Sequence, residues 1–451
     1  MIGVSLSRWT MSYFAAALAF LVAAEILMAL GYGFPHEALQ APGTLILVHL
    51  VAIGWLSLLV CGALFQFLPV LIAQPLFSNT LPLPALISLI AGLTALILGF
   101  LQLAGSVDPT LPFFAFAGTM LGLGFGLVLW NLARTLWAAP RWPLSARFVV
   151  VGLISVVATV TLGFVFALAL GGATASEPVL ILTGAGLPLH VIAGLGGWLT
   201  FTAMGVSYRL LAMFMLAPEL ERRSTKAALY VGAAALTVAI VGGVLAILLN
   251  GNLVLVLLMA GGLSLVAIAF YGTDVIHLYR ARRRRHIELN SRMALVALVF
   301  LAASGVLISV LFAFGRLGDH VGAVVFLVAF GWLSGLGLAQ LYKIIAFLTW
   351  LECYGPVLGK TQTPRVQDLV VEARAIKWFW LYFIAVGVGT LALIVGHLPA
   401  FQVSAATMLL ATGGIAVHLV RTRRLMDVNA ALRLPQGAHR PRLLFSLSHQ
   451  T

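Results

Sequence analysis

Hydrophobic residues fall into twelve runs along the chain, each about 20 residues or longer, which is the length of a membrane-spanning helix. Within the runs the apolar residues are continuous, whereas the strands of a membrane barrel would alternate apolar and polar positions. Because only helices and closed barrels satisfy their backbone hydrogen bonds in lipid, the pattern predicts an all-α polytopic membrane protein. We expect twelve transmembrane helices near residues 10–32, 44–72, 82–104, 111–133, 147–171, 179–208, 227–249, 252–276, 293–315, 320–348, 376–397 and 400–420.

A four-residue motif occurs three times, in the second, sixth and tenth runs. Its copies are Gly54-Trp55-Leu56-Ser57, Gly197-Trp198-Leu199-Thr200 and Gly331-Trp332-Leu333-Ser334. Recurrence at this spacing indicates one supersecondary unit used three times. The sequence therefore predicts a single membrane domain with a pseudo-threefold arrangement of four-helix units, and we expect the tryptophans to pack its centre. The predicted units cover roughly 1–145, 146–291 and 292–420, followed by a basic cytoplasmic tail over 421–451.

Composition and charge agree with a membrane protein. The chain is 62% hydrophobic and 9% charged, with a mean hydropathy of +1.10, which excludes a soluble globular domain. A net charge of +13 is typical of proteins that bind nucleic acid, but all 26 Lys and Arg except Arg316 fall on one side of the predicted spans. That asymmetry is the positive-inside signal. It predicts a multi-pass protein of a bacterial inner membrane with both termini in the cytoplasm, and it favours the lipid bilayer over nucleic acid as partner.

One histidine precedes the tryptophan in each copy of the motif: His49, His190 and His320. Imidazole is an axial ligand of haem iron, and neutral imidazole also binds copper or zinc. A histidine inside a membrane needs a partner, and a hydrogen bond to another helix is the alternative to a metal. The recurrence makes the three histidines candidate metal ligands. Because they precede their tryptophans by different numbers of residues, they would differ in depth by up to about 9 Å if the tryptophans were level.

Two further polar residues stand out against the apolar runs. Arg316 is the only basic residue on the outer side, where it would neutralise an anionic ligand group or pair with Asp319. Glu25 lies inside the first run, where it would belong to a proton path or be a neutral, hydrogen-bonded structural residue.

The second run resembles a segment of the catalytic subunit of the haem–copper oxidase superfamily, which includes nitric oxide reductases and cbb3-type oxidases. His49 is followed by Phe67-Leu68-Pro69, Ile72-Ala73 and Pro75, similar to the family's helix-II haem ligand and its P-L-x-I-G-x-P segment. In the tenth run His320, with Gly322-Ala323-Val324 and Gly331, resembles the family's helix-X haem-ligand region. A looser resemblance is to the NnrS-like haem- and copper-containing membrane proteins linked to nitric oxide stress.

The chain departs from that family at the copper site. Gly318 stands where the family has a second helix-X histidine, and the seventh run, 227–249, contains no histidine. His190 lies in the sixth run, where the family has another copper ligand. The resemblance therefore implies a b-type haem on His49 and His320, with Arg316 near its propionates. It leaves copper at His190 as an option, and it leaves open whether the protein is an oxidoreductase, since no catalytic residue is identified.

These features predict a haem-binding membrane protein in respiratory electron transfer or in nitric oxide or oxygen handling, with a cytochrome or quinol as electron donor. The alternatives are a secondary transporter or channel without a cofactor, and a non-catalytic assembly or scaffold protein. The internal repeats and Glu25 favour a transporter, although transporter repeats usually come in pairs with broken helices.

Overall fold

The computed structural model describes residues 7–108 and 110–446, and this part of the chain is helical with twelve helices long and apolar enough to cross a membrane. This confirms the predicted all-α polytopic class. Numbered helices 1 to 12, they are Thr10–Ala29, Pro42–Ile72, Pro82–Leu103, Phe113–Trp137, Leu144–Leu170, Leu187–Met215, Arg223–Leu248, Leu253–Arg280, Leu289–Ala313, Gly318–Val357, Glu372–Val395 and Leu398–Arg423.

The sixth predicted span differs most from the structure. It divides into a short helix, Glu177–Ala185, and helix 6 proper, with the break at Gly186. Pro188 follows the break and cannot donate the backbone hydrogen bond that would continue the preceding helix. Helix 6 then runs past the predicted end to Met215, where Leu216 adopts a left-handed conformation with φ 53°.

The described chain forms two compact units. One contains Met1–Val51, Cys61–Gln66 and Ile287–Thr451, and the other contains Ala52–Val60 and Phe67–His286. In the first unit helix 12 packs against helices 1 and 11, and helix 9 packs against helix 10. In the second, helix 3 packs on helix 4, helix 5 on helix 6, and helix 7 on helix 8. These two units reflect which helices pack together and not which segments repeat. The three repeat units therefore stay a prediction from sequence.

The described part of the basic tail, to Ser446, packs within the first unit. Residues 424–428 contribute to a buried apolar cluster with the end of helix 10 and the loop after it; its members are Cys353, Tyr354, Leu369, Leu425 and Val428. Farther along, the Tyr354 hydroxyl donates to the Arg433 carbonyl at 2.8 Å. Asp427, just beyond helix 12, accepts hydrogen bonds from Arg421, which hold the pKa of its carboxyl below the ordinary value.

Candidate functional site

Each copy of the repeated motif lies in a π-helical segment of its helix. The segments are Leu50–Ser57 in helix 2, Ile192–Phe201 in helix 6 and Leu327–Ser334 in helix 10. π-Helical turns are rare, and they occur frequently at functional sites. The sequence repeat is therefore also a repeat of an unusual backbone form.

The hydroxyl residue of the motif makes the same hydrogen bond in all three segments. It donates to the carbonyl five residues earlier: Ser57 to Ala52 at 2.7 Å, Thr200 to Leu195 at 2.8 Å and Ser334 to Ala329 at 2.7 Å. An α-helical hydroxyl usually reaches the carbonyl three or four residues back. The five-residue reach follows from the wider π turn and accounts for Ser or Thr at this position.

The tryptophan of each motif is buried, with at most 2% of the residue exposed. Within the second unit, Trp198 Nε1 donates to Ser57 Oγ at 3.0 Å. Because the same Ser57 oxygen donates to Ala52, one hydroxyl links two turns of π-helix through a buried polar chain.

We expect Ser57→Ala to destabilise the protein by about 1–3 kcal/mol, because it leaves the indole N–H of Trp198 buried without that acceptor. Trp198→Phe removes the donor, so the double variant should lose less than the sum of the two single losses. Thermal unfolding of the purified protein in detergent measures this cycle. Strict additivity would show that the hydrogen bond contributes no coupling.

In two of the three copies, the glycine before the tryptophan brings a neighbouring helix close. A Cβ on Gly331 would lie 2.5 Å from Phe300 Cδ1 of helix 9, and a Cβ on Gly197 would overlap Ser155 of helix 5. No side chain fits in either place without movement. The motif thus combines a close helix contact, a buried indole and a hydroxyl-stabilised π turn.

The polar residue eleven positions after each tryptophan has a structural partner. Gln66 accepts from the Ser7 backbone N–H at 3.0 Å, Arg209 pairs with Glu219, and Lys343 pairs with Glu288 at 2.6 Å. These residues join helices 2, 6 and 10 to neighbouring segments, so the repeated position has a structural use in all three copies.

His49 lies immediately before the first π-helical segment and is half-buried. Its Nδ1 is 2.7 Å from the carbonyl oxygen of Leu45. A carbonyl only accepts, so Nδ1 carries a proton, and in the neutral form of the ring Nε2 is then the unprotonated nitrogen. That tautomer, fixed by a backbone carbonyl, is the usual arrangement of a histidine that ligates a metal through Nε2.

His320 ends the 3-10 turn that opens helix 10 and is also half-buried. It belongs to the same compact unit as His49. Two residues later, Gly322 faces the ring of Phe34 at a distance that leaves no room for a Cβ. The N-terminal end of helix 10 is therefore contacted by the segment that joins helices 1 and 2.

Arg316 forms an ion pair with Asp319, with Nε and Oδ2 2.7 Å apart, and both side chains are more than half exposed. The ion pair with Asp319 is one of the two interpretations of Arg316, and a contact with an anionic ligand group stays a prediction. An exposed pair of this kind contributes little to stability, typically below about 1 kcal/mol.

His190 lies in the second unit, in the first turn of helix 6. Its ring packs against Phe166 with centroids 5.6 Å apart and approaches Gly163 of helix 5. Among the described residues, no three or more His, Cys, Asp or Glu side chains are grouped so that they would hold a metal ion.

Glu25 is fully buried in the first unit, and its surroundings are a feature that the sequence did not indicate. Oε1 accepts from the Thr412 hydroxyl of helix 12 at 2.8 Å, while Oε2 has no hydrogen-bond partner among the described residues. In the same unit the Tyr382 hydroxyl donates to the carbonyl of Phe330, which belongs to the third π-helical segment, at 3.0 Å.

No protein-family model and no curated protein matches this chain.

Proposed function

We propose that this chain is an integral membrane haem-binding protein of the divergent haem–copper oxidase type. It would work in respiratory electron transfer, or in nitric oxide or oxygen handling, in a bacterial inner membrane. The observation that carries the proposal is the hydrogen bond from His49 Nδ1 to the Leu45 carbonyl. With Nδ1 as the donor, the neutral form of the ring would offer Nε2 as the ligand atom beside a π-helical segment in helix 2.

The donor set suits a b-type haem held by His49 and His320. His49 has the ligand tautomer, and His320 lies in the same unit before the third π-helical segment. A haem bound there would supply one-electron redox chemistry tuned by its axial imidazoles. Arg316 has five N–H donors, so its guanidinium has the capacity to contact a propionate and keep Asp319.

Residues of the chain would hold the His49 ring in place and limit the access of water to His320. The Leu45 carbonyl orients the His49 ring, and Phe34 contacts the N-terminal end of helix 10 next to His320. His190 is a separate candidate metal ligand. Analysis of the purified protein for bound copper tests that role. A cytochrome or quinol is the proposed electron donor.

Absorbance spectroscopy of the purified protein tests the haem proposal. We expect a Soret band in protein made in haem-replete cells, and its loss in His49→Ala/His320→Ala. His286→Ala, which changes an exposed loop histidine, is the matched control and should keep the band. A wild-type protein without a Soret band, or a double variant with an unchanged one, would overturn the proposal.

Secondary transport without a cofactor is the second candidate, and the buried carboxyl of Glu25 with one unpartnered oxygen favours it. Proton-coupled substrate uptake by proteoliposomes, lost in Glu25→Gln and retained in the double histidine variant, would support transport instead. A scaffold protein would show neither the Soret band nor uptake.

A further inference from the structure

Helices 4 and 5 form an apolar groove at the end of the second unit that carries the basic loops. Its volume is about 690 Å³, within the range of small-molecule sites. Three tryptophans, Trp130, Trp137 and Trp142, line it together with aliphatic residues of both helices. Trp137 is 84% exposed, so the groove opens to the surroundings of the helices and not to the core.

The groove has the length of one bilayer leaflet. On helix 4 it extends from Gly126 to Trp137, which is about 16 Å at the helical rise of 1.5 Å per residue. Half of the hydrocarbon core is about 15 Å. An acyl chain lying along the groove would therefore reach from the headgroup level to the bilayer centre.

Positive charge surrounds the polar end of the groove. Arg134, Arg141 and Arg147 are exposed, and between residues 109 and 176 there is no Asp or Glu. Within the described chain none of the three arginines forms an ion pair with a carboxylate. Arg134 lies over the rings of Phe77 and Trp130, and Arg147 Nε donates to the Trp142 carbonyl at 3.2 Å.

These contacts place the Arg134 and Arg147 side chains beside the tryptophans that line the groove. The Trp142 indole donates to the Leu136 carbonyl at 2.9 Å, which fixes the turn between the two helices. Indole rings at the membrane interface and uncompensated guanidinium groups beside them match the two parts of a phospholipid with a negative headgroup.

We propose that this groove is a binding site for an anionic phospholipid of the leaflet on the side of the basic loops, with an acyl chain against Trp130 and Trp137 and the phosphate at Arg141 and Arg147. The site takes a diacyl glycerophospholipid such as phosphatidylglycerol in preference to a zwitterionic one. It is independent of haem binding.

Tryptophan quenching by brominated lipids tests the site in the full-length protein. In phosphatidylcholine vesicles, a small fraction of acyl-brominated phosphatidylglycerol should quench more strongly than the same fraction of brominated phosphatidylcholine. Arg141→Gln/Arg147→Gln should reduce the preference by about fivefold for each arginine removed. The Trp130→Phe/Trp137→Phe variant should lose the headgroup-dependent part of the quenching.

Arg283→Gln/Arg285→Gln, which removes the same charge from another exposed basic segment, is the matched control and should keep the preference. Equal quenching by both lipids would show annular lipid only and would overturn the proposal. An equal loss of preference in the control would assign it to overall surface charge, with the same consequence. A dimer by light scattering that Trp137→Ala dissociates, without lipid preference, would assign the groove to a second copy of the chain.

Discussion

Arg423→Met is expected to destabilise the protein by about 3–5 kcal/mol, because it removes the positive charge next to a buried carboxylate. Arg423 Nη2 lies 2.5 Å from Glu352 Oε2, and the two side chains are 3% and 4% exposed. The same guanidinium donates from Nε to the Arg442 carbonyl at 2.8 Å. The substitution therefore also removes one of the hydrogen bonds that hold the tail.

A second substitution separates the charge from the packing. Glu352→Met/Arg423→Met removes both charges at similar volume, and it should recover much of the stability lost in the single variant. Arg374→Gln is the control, because its pair with Asp427 is largely exposed on the arginine side and should cost less than about 1 kcal/mol. Thermal unfolding in detergent compares the variants, and an Arg423→Met variant as stable as Arg374→Gln would contradict the prediction.

Gly205→Ala is expected to destabilise the protein by about 1–3 kcal/mol through a backbone collision. A Cβ at this position would lie 2.6 Å from the Ser145 carbonyl oxygen and 2.8 Å from Phe148 Cβ, both in helix 5. A carbonyl of a packed helix cannot move aside as a flexible side chain would. Helices 5 and 6 would have to separate.

Gly262→Ala makes the same chemical change where there is space. Nothing lies within 4 Å of a Cβ built on Gly262 in helix 8. Alanine is the better helix former, so this variant should be as stable as the wild type or more stable by up to about 1 kcal/mol. Equal unfolding temperatures for the two variants would show that helices 5 and 6 adapt to the added methyl group.

The number and order of the helices could be predicted from sequence because length and apolar composition alone determine which runs span a bilayer. The break at Gly186 differs from the predicted continuous span, although Gly186 and Pro188 are turn and helix-breaking signals within the apolar run. The repeated motif indicated where three equivalent positions lie. It did not indicate the π-helical backbone. A segment of eight to ten residues spans too few turns for its hydrophobic periodicity to be told from that of an α-helix.

The candidate site was less predictable, because partners distant in the chain decide it. His49, His190 and His320 were identified by recurrence, but the bond from His49 Nδ1 to Leu45 depends on ring orientation. The contact of Glu25 with Thr412 joins the first and last helices, which no local pattern specifies. For Arg316 the sequence indicated an anionic ligand group or Asp319 as partner, and the structure shows the ion pair with Asp319.

The haem content of the purified chain tests the central proposal most directly. A pyridine haemochrome assay on protein from haem-replete membranes should give a b-type spectrum with a single haem per chain, and His49→Ala should lower that content sharply while His286→Ala does not. No haemochrome from the wild-type protein, or the same content in His49→Ala, would contradict the account.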